Sequence, residues 1–165
     1  MKKFGVFLAI ILTVSATAVS SVVAMPDMNI VTANCQATQS TLQRLAKVDV
    51  SARLNRGGDY DKLLKLMFAM NARLATNHIA APKLSEITER YEKSIAEFRR
   101  DYDVYDEDLS YLSKIISCST KPSEFYSSLE KTRFSRAILH NDVVELDQLT
   151  DEYTTFLNET VENIL

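Results

Sequence analysis

Two residues with obvious chemistry stand at Cys35 and Cys118, the only cysteines in the chain. Their natural reaction is oxidation to a disulfide, which persists in oxidising compartments and is rare in a reducing cytosol. One intrachain pairing exists; an intermolecular bond or two free thiols are the alternatives. A second set is cationic: Arg53, Arg56, Arg99, Arg133, Arg136 and His140. Counted in helical turns, each lies roughly four to six turns from the nearer cysteine. If the helices fold back on one another with the cysteines at one end, these side chains form a belt at one height. Glu97, Asp101, Asp103 and Glu130 fall near it. Guanidinium forks pair with carboxylates, so the belt is expected to be an inter-helix salt-bridge layer that sets register. The competing reading is a site for a carboxylate, a phosphate or an acidic partner segment, with Gly57 and Gly58 permitting close backbone approach.

Other chemistries find little support. The two histidines, His78 and His140, belong to opposite halves of such a bundle, and no cluster has zinc spacing. No haem-attachment motif occurs. Asp101, Asp103, Asp106, Glu107 and Asp108 briefly resemble a calcium loop, but Asp106 stands where glycine is needed and Leu112 where the bidentate glutamate belongs. Tyr102, Tyr105 and Leu109 run through that segment at helical spacing, so it reads as a solvated helix face. No nucleophile has a motif. No catalytic residue, metal or cofactor is therefore expected, and the protein is read as a non-enzyme. The net charge is −3, and the first two charges are both lysines, so the remainder is more acidic still. That argues against nucleic acid as a general partner.

The N-terminus explains how the cysteines would meet an oxidant. Lys2 and Lys3 precede an apolar run from Phe4, and no further charge appears until Asp27. Ala16-Thr17-Ala18 and Val22-Val23-Ala24 are both small-residue cleavage sites, the second favoured. Residues 1–24 thus read as a signal peptide. They are also long enough for an uncleaved anchor of about 20 residues; either way the lysines stay inside and the rest is exported. Residues 25–34 read as a linker and 35–165 as a single helical domain.

Three helices must position these groups. The chain has only 3 Gly and 3 Pro in 165 residues and no Trp. Apolar residues recur at threes and fours, best in Leu84, Ile87, Tyr91, Ile95, Phe98, Tyr102, Tyr105, Leu109, Leu112 and Ile116, a coiled-coil-like seam. Helices are expected over about 36–77, 83–117 and 122–163, with Pro82 and Pro122 in first turns. Asn34 is expected to cap the first by accepting a backbone N–H. Gly57-Gly58 is a soft point, leaving one kinked or weakened helix or two. The third helix's stripe is poor between Leu129 and Ile138, at the height of the belt. Short connections make the helices antiparallel neighbours. The predicted fold is all-α: an elongated antiparallel three-helix bundle with a disulfide at one end.

Arg53-Leu54-Asn55-Arg56-Gly57, Asn71 to Asn77, Tyr91 to Arg99, Cys118, Phe125-Tyr126 and Thr132-Arg133 through Arg136 to His140 together resemble small exported helical proteins of the Saccharibacteria type. The resemblance spans about Arg53 to His140 and implies surface or secreted placement with no enzymatic activity. The expected function is a non-catalytic exported interaction or cell-envelope structural protein. Its binding surface would be a helix face or the turn around His78, Ile79 and Pro82, its partner a protein at the cell surface. Membrane contact would come only through the N-terminal segment, and self-association would come through a leftover apolar edge. The alternative is a small anionic-ligand-binding bundle using the arginine belt.

Overall fold

The structure, a computed structural model, describes residues 27–163. The leader expected over 1–24 lies outside the described residues. Those described form four helices with no strand among them: α1 (Met28–Ala33), α2 (Cys35–Thr76), α3 (Pro82–Lys114) and α4 (Pro122–Glu162).

α1 occupies much of the segment read as a linker. Asp27 starts it, its side chain accepting the Asn29 N–H at 2.9 Å. Contrary to expectation, Asn34 does not cap α2 with a side-chain acceptor. Its side-chain amide donates to the Ile30 carbonyl at 2.9 Å, and its backbone N–H reaches the same oxygen at 3.2 Å. It therefore closes α1, and α2 begins without a side-chain cap. Tertiary packing supplies what so short a helix lacks alone: α1 lies against α4, and Val31 packs on the core around the cysteines.

α2 runs unbroken through Gly57-Gly58. It ends in a Schellman arrangement: Ile79 N–H donates to the Leu74 carbonyl at 2.9 Å and His78 N–H to that of Ala75 at 3.0 Å. His78 occupies the left-handed position, with φ 57°. α3 stops at Lys114, earlier than the expected 117, and leaving the helix lets both Ile116 and Cys118 turn inward. Pro82 and Pro122 each sit in a first turn.

α3 is the spine. Its seam residues from Leu84 to Leu112 are all buried, and it packs along both α2 and α4. The backbones of α2 and α4 make no comparable approach to each other. Side chains bridge them instead. The Tyr153 hydroxyl donates to Asn71 Oδ1 at 2.9 Å, and the Asn71 amide donates to the Thr88 hydroxyl at 2.8 Å. This node ties three helices in one plane, and a satisfied polar node fixes register more sharply than apolar packing does.

The core has two parts. One gathers Met67, Leu74, Ile87, Tyr91, Ile95, Phe98, Leu146, Leu149 and Tyr153. The other gathers Leu42, Tyr105, Leu109, Leu112, Ile116 and Phe125 around the Cys35–Cys118 disulfide, whose Cα atoms are 5.4 Å apart. Phe98 and Tyr102, 6.4 Å between ring centres, mark the junction.

Candidate functional site: a cleft between α2 and α4

Between Leu42 and Met67, α2 contributes no fully buried residue. Leu45, Ala46, Leu63 and Leu64 pack on the core only in part, and polar and aromatic contacts to α3 supplement them. The Tyr105 hydroxyl donates to Asp49 Oδ2. Arg53 donates to Asp103 Oδ1 at 2.9 Å and its guanidinium lies 4.3 Å from the Tyr102 ring centre. Arg99 donates to Asp61, and Tyr60 meets Phe98 edge-on with centroids 5.4 Å apart.

Because α2 and α4 touch α3 but not each other here, an open cleft of about 270 Å³ remains between them. Phe98, Tyr102 and Tyr105 of α3 line its floor. Asp49, Ala52, Arg53 and Arg56 line the α2 side, and Arg136, Leu139, His140 and Val143 the α4 side. The buried Tyr105 hydroxyl is pushed well above its ordinary pKa, first by burial and then by its bond to Asp49, against the pull of Arg136. Burial also raises Tyr102, with Asp106 adding and Arg53 opposing. Both phenols stay neutral near physiological pH. The cleft therefore presents three guanidinium groups, one carboxylate already engaged by a phenol, and an aromatic and aliphatic base.

The expected belt divides. Arg53, Arg56, Arg136 and His140 line this one cleft; Arg99 and Arg133 do not. Arg99 follows Phe98 by one residue, a rotation of about 100° off the buried seam, and meets Asp61 at the outer edge of α2. Arg133 shares a face with Arg136 by spacing but bonds to Glu130 of its own helix. Asp101 pairs with its neighbour Arg100, and Glu97 with Lys93. The inter-helix salt bridges at this height are Arg53–Asp103 and Arg99–Asp61, both between α2 and α3. Among the described residues Arg56 and Arg136 enter no ion pair; Arg56 faces the Tyr60 hydroxyl. Gly57 and Gly58 do not serve close approach, since a Cβ at either would meet nothing within 4 Å.

Comparison of the chain with protein-family models, curated proteins and solved structures finds no match. The side chains themselves must carry the functional reading.

Three participants were not expected at the site. Asp49 is not among the belt residues, and Tyr102 and Tyr105 read only as seam residues. The available signal was chemical: a tyrosine on a buried seam needs a partner for its hydroxyl, and Asp49 is an acid on the neighbouring helix. The turn named as a binding surface forms a separate hollow, where His78, Ile79 and Pro82 join Asn71, Leu74 and Ser85 with no arginine, lysine or carboxylate in the lining. Among the described residues no group of His, Cys, Asp or Glu could hold a metal ion, and no helix is long and apolar enough to cross a membrane.

Proposed function

We propose that this is a non-catalytic binding protein that works outside the cytoplasm: an elongated antiparallel three-helix bundle, stapled at one end, that offers side-chain surfaces to a partner. The observation that carries the reading is the pairing of the chain's only two cysteines, since such a bond endures where thiols are not kept reduced. The lysine-led apolar leader in the sequence agrees with it. Long helices of 42, 33 and 41 residues, about 50–60 Å each, with α1 folded over the stapled end, support the bundle geometry. Leu54 at 71 % exposure and Phe134 at 70 % are large apolar side chains left open to a partner.

The test is the intact mass of protein recovered from its own cells, before and after reductant. The reading expects loss of residues 1–24, or of the shorter leader ending at Ala18, and a gain of two hydrogens on reduction. A cytoplasmic protein with Met1 retained and both thiols free would overturn it.

A further inference from the structure

We propose that the cleft between α2 and α4 binds a small amphipathic anion: a carboxylate or phosphate carried on an aromatic or short aliphatic body. This goes beyond the placement argued above and does not depend on it, requiring only that the disulfide be formed.

The charge pattern is the first argument. A chain of net charge −3 concentrates three arginines against one aspartate around a single opening. The aspartate is already engaged, its Oδ2 accepting the Tyr105 hydroxyl. Arg53 is partly neutralised by Asp103. Arg56 and Arg136 enter no ion pair among the described residues, and they stand on opposite sides of the cleft. Two forks from different helices can take the two faces of one anionic head group, and guanidinium geometry suits carboxylate and phosphate alike.

The base of the cleft is the second argument. Phosphate or acetate alone would need only the forks. Here the forks stand over Phe98, the Tyr102 and Tyr105 rings, Leu139 and Val143. That surface favours a ligand with apolar area to bury. A volume of about 270 Å³ falls just under the ~300–1,000 Å³ of pockets for drug-sized ligands, so the body is about one ring with a short chain. Arg53 is already stacked on Tyr102 at 4.3 Å, which lowers the ordering cost of binding.

The test is a nitrogen-15 NMR titration of the oxidised, full-length protein. The probes are 4-phenylbutyrate, phenyl phosphate, 4-phenylbutan-1-ol and inorganic phosphate. The inference expects saturable shifts at Ala52, Leu139 and Val143 from one or both amphipathic anions, and the two separate probes tell which head group is preferred. Arg56→Gln and Arg136→Gln should each raise Kd about tenfold, the loss of one charge-assisted contact. Arg133→Gln, which removes the same charge outside the cleft, should leave it unchanged. Saturation by neither anion, equal binding of the alcohol, or equal binding of inorganic phosphate would overturn the inference. These side chains are exposed, so their variants remain folded and interpretable.

Discussion

The Arg53 guanidinium rests 4.3 Å from the centre of the Tyr102 ring while its fork donates to Asp103. Tyr102 is buried and Asp103 is 68 % exposed at its side chain. The carboxylate is screened by water, where such pairs are worth about 0–1 kcal/mol. The ring is not, and a cation over it contributes about 0.5–1 kcal/mol or more. Arg53→Ala should therefore cost about 1 kcal/mol in urea unfolding, and Asp103→Ala only a few tenths. Equal losses would make the ion pair, not the ring, the contact that holds mid-α2.

Gly57 and Gly58 lie within an unbroken helix and have open space where a Cβ would stand. Their residual role is to loosen α2. Replacing either with alanine should stabilise the protein by about 0.5–1 kcal/mol, by helix propensity and reduced unfolded-state entropy. Denaturant midpoints of the two single variants and the double variant measure this. A loss of stability would mean that the glycines accommodate a conformation other than this helix.

His78 adopts φ 57° at the Schellman position of α2, where glycine is the usual residue. Its side chain is exposed and contributes no hydrogen bond there. His78→Gly should raise stability by up to about 1 kcal/mol, whereas His78→Val, β-branched in the same conformation, should lower it. Thermal unfolding of both variants gives the comparison.

Asp142 has a buried Oδ2 without a partner. Burial foremost, then the charges of Asp101 and Glu97, raise its pKa in the fold, and Arg100 opposes them. A folded pKa above the unfolded one means that the fold prefers the protonated acid. Its stabilising effect is present below the unfolded pKa, about 3.9, and is lost as pH rises through the folded value. Asp142→Asn should thus raise the melting temperature at neutral pH, and the gain should vanish as pH falls below about 4. A gain independent of pH would point to packing instead of charge.

Much of the architecture is legible in the residues because it follows from one-dimensional spacing. The α3 seam from Leu84 to Leu112, the first-turn prolines and the cysteine pairing all depend on distance along a helix. The site was less legible. Counting turns gives the height of Arg53, Arg56, Arg99, Arg133 and Arg136, but not their direction around the helix axis. Arg99 and Arg133 share the height and miss the cleft. α1 escaped notice because its six residues depend on packing against α4 and on Asn34 acting as donor where an acceptor was expected. The Asn71–Thr88–Tyr153 node was hidden because spacing along one helix does not show which polar residues meet across three, although a polar residue at a seam often specifies register.

On this geometry the Cys35–Cys118 bond holds the first half of α2, with Asp49, Arg53 and Arg56, in place to form the cleft. That half has only Cys35 and Leu42 fully buried. The bond closes a separation of 83 residues, worth about 4–5 kcal/mol in the chain-entropy account. Amide hydrogen exchange of the oxidised and reduced protein tests this most directly. The account predicts that reduction strips protection from Cys35 to about Gly58 first, while α3 and α4 from Leu84 to Ile95 and Leu146 to Tyr153 retain theirs. Uniform loss along all three long helices, or no change in α2, would contradict it.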